Sequence, residues 1–191
     1  MPLRVISGTA GGLHLKSPKR HALRPTQDRI RQVIFSSLAE IVPGARVLDL
    51  YAGTGSFGIE ALSRGAASAT FVEKDAEAAQ CIRDNLTHCH LQGDVLQADV
   101  LAFLEKPPRA EPFTLIFADP PYVKSRGSLD DNPLLSLLVS FIAQDGLFIW
   151  EHYAGQEARN LPFWEVIRHK NYGETGLTFL RYIHKNKKIS L

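Results

Sequence analysis

Four consecutive residues, Asp119-Pro120-Pro121-Tyr122, carry the most specific chemistry in the chain. Two prolines in a row remove two N–H donors and fix the backbone, so this turn is neither ordinary strand nor helix. It follows the continuous apolar run Phe113 to Ala118, which reads as a buried strand with Asp119 at its carboxyl end. A carboxylate and a rigidly held carbonyl there can accept the two hydrogens of an aromatic exocyclic amine. The lone pair of such an amine is delocalised into its ring and attacks carbon poorly. Accepting the hydrogens steers the lone pair and stabilises positive charge as it develops. Tyr122 adds a ring on which an extruded or single-stranded base can stack. The plainer alternative is a proline-stiffened loop.

A second constellation is Asp49-Leu50-Tyr51-Ala52-Gly53-Thr54-Gly55-Ser56-Phe57-Gly58. A glycine-rich turn between a strand and a helix lets backbone approach a ligand closely, at the carboxyl edge where open α/β sheets bind ligands. As a string, G-x-G-x-x-G fits a dinucleotide site or a structural turn equally well. Glu73 ends the next strand 20 residues after Gly53, where an acid can accept hydrogen bonds from ribose hydroxyls. Asp99 follows a third strand; by itself it reads as a helix cap. With Asp49 ending its strand just ahead of Gly-x-Gly, the segment resembles the first motif of Rossmann-like class I methyltransferases. The resemblance implies S-adenosylmethionine as cofactor. Asp49, Tyr51, Ala52, Gly53, Thr54 and Gly55 would then serve its methionine part, Glu73 the ribose, and Asp99 and Val100 the adenine, with Lys74 also at the cofactor.

These residues need elements to position them. Residues 3 to 16 read as a strand, a turn with Gly8, Gly11 and Gly12, and a second strand. Pro18 and Pro25 bracket a basic loop. A helix is expected from an N-cap at Thr26, with Ile30, Val33, Ile34, Leu38 and Ile41 at helical spacing and Pro43-Gly44 ending it. Strand then alternates with helix: strands at 47–50, 69–73, 95–96, 113–118, 147–150 and 177–183, and helices at 57–64, 76–86, 101–104 and 134–142. This order implies right-handed crossovers and a mainly parallel sheet with helices on both faces. Residues 123–133, polar and glycine-containing, are expected to form a mobile loop. Glu151-His152 should follow the fifth strand, with no nucleophile beside them, while Trp150, Phe163 and Trp164 suit core or edge packing.

A chain of 191 residues, 45% hydrophobic and 22% charged, is the size of one ordinary globular domain with a short extension. No apolar run reaches the roughly 20 residues of a membrane span, and no signal-peptide pattern opens the chain. Cys81 and Cys89 give no disulfide framework, so both are expected to be reduced thiols in a cytoplasmic protein. Their spacing with His88 and His90 matches no usual zinc pattern, and no metal is expected. Charge is unevenly spread. Residues 1–31 hold seven basic side chains and one acid, Asp28, for a local net of +6. The other 160 residues net −4, with a second basic cluster at His184, Lys185, Lys187 and Lys188. A basic segment of this kind suits a polyanionic partner, or is merely a solvated surface.

Over nearly its whole length the chain resembles the bacterial small-subunit ribosomal RNA guanine-N2 methyltransferases that modify guanine 966. The likeness is carried by Arg4-Val5-Ile6-Ser7-Gly8, Arg24-Pro25-Thr26-Gln27-Asp28-Arg29-Ile30-Arg31 and Val47 to Gly55. It continues through Glu60 to Ala66, Phe71-Val72-Glu73, the Asp-Pro-Pro-Tyr turn and Tyr172-Gly173. The resemblance implies a seven-stranded, mostly parallel Rossmann-like α/β sheet with helices on both faces. A basic hairpin and helix extension (1–42) would precede the methyltransferase domain (43–191). It further implies a monomer acting on 16S ribosomal RNA, in the small subunit or an assembly intermediate. Asp119, Pro120, Pro121 and Tyr122 would be catalytic; Arg24, Thr26, Asp28 and Arg29 would face the substrate. A capped helix with exposed arginines accounts for that last segment too, Arg31 in particular. Thr9 to His14 depart from the family, which has an arginine pair in the hairpin; Lys16, Lys19 and Arg20 are the available substitutes, and Tyr51 replaces a phenylalanine. The alternatives are a DNA adenine-N6 or cytosine-N4 methyltransferase, a non-catalytic RNA-binding module, and an NAD-linked oxidoreductase.

Overall fold

The structure, a computed structural model, describes residues 3–18, 25–108, 111–121, 127–159 and 161–183, and the backbone alone of residues 25–28. Arg24 and Tyr122, the basic residues Lys19 and Arg20, and the tail cluster from His184 to Lys188 therefore lie outside the described residues. So do the side chains of Thr26 and Asp28. Along the chain run α1 (Pro25–Ser37), β1 (Arg46–Leu50), α2 (Ser56–Ser63), β2 (Ser68–Glu73), α3 (Ala76–His88), β3 (Asp94–Gln97) and α4 (Val100–Leu104). There follow β4 (Phe113–Ala118), β5 (Gly127–Ser128), α5 (Pro133–Leu138), β6 (Ile142–Tyr153), β7 (Gln156–Glu157), β8 (Trp164–Tyr172) and β9 (Thr175–Tyr182). Seven strands form one sheet in the order β3-β2-β1-β4-β6-β9-β8. The pairs β1–β2, β2–β3 and β4–β6 are parallel, while β9 runs antiparallel to β6 and β8. The expected Rossmann-like class of α/β fold is the one observed. By its contacts the chain divides into two units, Met1–Phe103 and Leu104–Leu191.

In the first unit β1 is buried along Val47–Leu50 and β2 at Ala69, Phe71 and Val72, as strands covered on both faces require. The N-terminal segment is held by backbone bonds from Val5 N to the Leu13 carbonyl and from Leu15 N to the Leu3 carbonyl. Its ladder reduces to a single bridge, Arg4–His14, where two strands are expected. Side chains of α2 hold this segment instead. Glu60, fully buried, accepts from Ile6 N at 2.6 Å and Ser7 N at 3.1 Å, and from Arg64 Nε at 2.6 Å. The Ser63 hydroxyl accepts from Ala10 N and donates to the Ser7 carbonyl. Gly8, at φ +88°, is obligatory there: a Cβ would lie 1.8 Å from the Ser63 carbonyl oxygen.

The first helix differs from expectation at both ends. Pro25 is its first residue, the position where a missing N–H costs nothing, so Thr26 lies inside the helix and is not its cap. It stops at Ser37, not at Pro43-Gly44. Leu38 to Gly44 are turns, in which Ile41 is exposed and Val42 takes the buried place. Arg31 is 2% exposed and donates from Nη2 to the Arg4 carbonyl. The exposed-arginine reading therefore fails for it.

In the second unit β4 is buried from Leu115 to Ala118, beside a twelve-residue β6. The helix expected over 134–142 ends at Leu138, and Ile142 already belongs to β6. Pro133 and an Asn132 cap that accepts from Leu134 N start this short helix. Gly127–Ser128, expected to be loop, pairs with β7. Phe148, Trp150, Trp164 and Tyr182 form an aromatic cluster with successive ring centroids 5.6–5.8 Å apart. The Trp164 indole donates to the Leu135 carbonyl. Strand β8 shows no apolar alternation and is mostly exposed. Its charged side chains suit a sheet edge, and its pairing to β9 across Gly173, rather than a sequence pattern, makes it a strand. Both cysteines are free, and burial pushes both thiols up. Among the described residues no helix is long and apolar enough to cross a membrane, and no group of three His, Cys, Asp or Glu can hold a metal ion.

Candidate active site

The first unit brings together most of the residues expected to hold a cofactor. Helix α2 begins after Gly55, which is left-handed at φ 76° and offers no side-chain cap. A Cβ on Gly55 would sit 3.0 Å from Ile82 and 3.2 Å from Ile59. The capping is done from the strand below: Asp49, 1% exposed, accepts from Gly58 N at 2.8 Å. Asp49 thus satisfies one of the orphan donors of the first turn and faces the helix N-terminus with its charge. Tyr51 also adopts positive φ, at 55°, a conformation a side chain tolerates only when its surroundings impose it.

Glu73 reaches the loop from β2. One carboxylate oxygen accepts from Gly53 N at 2.8 Å and the other from Asp75 N at 2.8 Å. Asp99 caps α4 through Leu101 N and Ala102 N and takes the Lys74 ammonium at 3.1 Å. The hydrogen bond from Lys74 first, then that from Ala102 N, hold its carboxyl below the ordinary range. Tyr51 lies within reach of the same charge: burial first, then Asp99, push its hydroxyl up. Val100 is buried behind them. Above Gly53 there is space, since a Cβ there would meet only the Tyr51 carbonyl oxygen, at 3.9 Å.

Sequence reasoning missed Asn85 in this unit. Buried on α3, its amide donates to the Lys16 carbonyl at 3.1 Å and the Thr54 carbonyl at 3.0 Å, and accepts from Lys16 N at 2.8 Å. It joins the basic N-terminal segment to the glycine loop. An Asn on a helix face carries no local signal of that role. Lys16 itself is exposed, with Asp84 at 3.4 Å. Arg29 lies exposed on α1.

In the second unit Asp119 follows β4 directly and is half-buried, as is Pro120, while Pro121 is exposed. Glu151, expected to follow a strand, lies within β6 and is 5% exposed. Burial first, then the charge of Asp119, push its carboxyl well above the usual range. His152, the next residue, bonds the Thr178 hydroxyl at 2.8 Å, and that hydroxyl also meets His169 at 2.8 Å. Burial pushes the His152 imidazole down.

A family model described as conserved hypothetical protein 95 matches residues 3–181. The ribosomal RNA small subunit methyltransferase D of Escherichia coli is 33% identical over 174 residues, spanning 90% of this chain and 86% of that one. The chain belongs to this family. A Bacillus subtilis relative, whose given name proposes an rRNA methyltransferase, is 34% identical over 94% of this chain and 98% of its own. A solved Escherichia coli structure, whose given name proposes a methyltransferase, superposes with a TM-score of 0.81 at 28% identity. That match covers 97% of this chain and all of the other.

Proposed function

We propose that this family member transfers a methyl group from S-adenosylmethionine to the exocyclic N2 of a guanine in 16S ribosomal RNA, guanine 966 in the family's numbering. One observation carries the reading: a half-buried carboxylate, Asp119, emerges directly from a buried strand into a Pro-Pro turn. The donor set of the glycine loop fits the cofactor. Glu73 and Asp99 offer carboxylates to hydroxyl and amino groups. Asp49 places a negative charge under the N-terminus of α2. That charge offsets the helix end that would otherwise favour a dinucleotide pyrophosphate, and it suits a sulfonium cation.

When bound, S-adenosylmethionine supplies an electrophilic methyl group, whose bonding pair stays with sulfur as the new C–N bond forms. Asp119 accepts a hydrogen bond from the guanine amino group, aligns the nitrogen lone pair and stabilises the positive charge that develops; the methylated nitrogen then releases its extra proton to water. The Pro120-Pro121 turn holds the accepting groups rigid. Tyr122 stacks on the base. Arg24, Thr26, Asp28 and Arg29, within a basic extension of residues 1–42, face the RNA, and the excess of basic side chains in residues 1–31 draws the polyanion. In this reading the protein works as a cytoplasmic monomer on the small subunit or an assembly intermediate. Labelled cofactor with 30S particles, naked ribosomal RNA and duplex DNA tests it, with nucleoside mass spectrometry to identify the product. Label on N2 of a single guanine in small-subunit RNA is expected; label confined to DNA, or undiminished label with D119A, refutes the reading.

A further inference from the structure

Strands β4 and β6 run parallel, with Ala118 the register partner of Trp150. Asp119 is the next residue after Ala118 and Glu151 the next after Trp150, on strands that neighbour one another at about 4.8 Å, and the Asp119 charge acts on Glu151. Residues at one register position of a parallel pair project to the same face of the sheet. Glu151 is 5% exposed, and on its other side its partner in β9 is Leu177. His152, the adjacent residue on β6, projects to the opposite face and is engaged by Thr178 and the Tyr153 carbonyl. Asp119 is thus the charged neighbour that acts on Glu151.

We propose that Glu151 is a positioning residue for the methyl transfer: a second, buried carboxyl beside the Asp119-Pro120-Pro121 turn that orients the Asp119 carboxylate toward the substrate amine. The inference rests on the function proposed above and deepens it. Two carboxyls this close do not both ionise readily. Burial and the Asp119 charge favour the protonated form of Glu151. A protonated carboxyl is a hydrogen-bond donor, and its bond to a carboxylate is short and strong. So oriented, Asp119 faces the guanine amino group and retains its charge where the substrate needs it. Glu151 touches neither substrate nor cofactor.

The test compares wild type, D119A, E151L and E151Q on 30S particles, measuring kcat, KM and binding of S-adenosylhomocysteine. A leucine fills the space without donating, so E151L should lose about tenfold or more in kcat through a misplaced Asp119, with both KM values and S-adenosylhomocysteine binding unmoved. E151Q should recover most of that loss, because a neutral amide still donates. An infrared readout covers the case in which E151L does not fold. The carbonyl band of a protonated carboxylic acid should be lost in E151Q, and in D119N it should titrate at lower pH than in wild type. Wild-type kcat in E151L, a loss in E151Q as large as in E151L, or a band that D119N leaves in place would each overturn the positioning role alone, provided D119A is inactive. If D119A retained full activity, or wild type methylated no guanine, the proposed function would fall and the positioning role with it.

Discussion

The glycine loop and the Asp119 turn are built on the same device, a carboxylate at the carboxyl end of a buried strand, and they use it in opposite ways. In the loop the carboxylates are committed to the backbone: Asp49 to Gly58 N, Glu73 to Gly53 N and Asp75 N. Flexible glycines there need side chains to hold their shape. In the turn two consecutive prolines supply the rigidity through their rings. The turn is stiffened by covalent structure, the loop by hydrogen bonds to its own acids.

The sharpest test of that contrast is Asp119→Ala. It should lower kcat by about 10²-fold or more, as loss of a preorganised group does, and leave S-adenosylhomocysteine binding and melting temperature close to wild type; equal damage to both would erase the distinction. Asp49→Ala should do the reverse. It leaves the buried Gly58 N–H without its acceptor, costing about 1–3 kcal/mol, so urea unfolding should show the loss alongside weakened S-adenosylhomocysteine affinity. Asn85→Ala removes the links to Lys16 and Thr54, and about 1–2 kcal/mol of stability with them, with cofactor affinity falling further than kcat.

Glu151 supplies a pH-dependent version of the comparison. Its carboxyl is raised in the folded protein, so its stabilising contribution is complete below the ordinary carboxylate range and is lost as pH rises through the folded value. E151Q should therefore melt above wild type at about pH 8, with the gap closing near pH 4. The smallest effect is expected from Lys74→Ala. The pair with Asp99 is exposed, at 77% and 45% side-chain accessibility, so the melting temperature at neutral pH should fall only slightly. What should change is Asp99 itself, held low by Lys74. The stability it contributes is present above its ordinary pKa and lost as pH falls through the lower folded value. In K74A Asp99 should titrate at higher pH, and less stability should be lost on acidification.

Strands whose burial shows in local pattern were legible. Phe113–Ala118 has the bounds expected, because an apolar run broken only by Thr114, next to Asp-Pro-Pro, leaves little freedom. Asp99 was legible as a cap, and the structure uses it so. Strand β8 was not legible: Glu165, Arg168 and Lys170 spoil any alternation, and the strand exists because β9 offers it an edge. The end of α1 was misplaced because Leu38 and Ile41 continue a helical spacing that the backbone abandons at Ser37.

By itself, the sequence determined the α/β alternation, the glycine loop with its acids, and the Asp-Pro-Pro turn, since each depends on residues close together in the chain. Only the tertiary structure decided that Arg31, Glu60, Asn85 and Glu151 are buried. Their roles come from partners such as Arg4, Ile6, Lys16 and Asp119, between 27 and 69 residues away. A charged or polar side chain carries no local sign of burial; its fate is set by whichever distant backbone or carboxylate the fold brings to it.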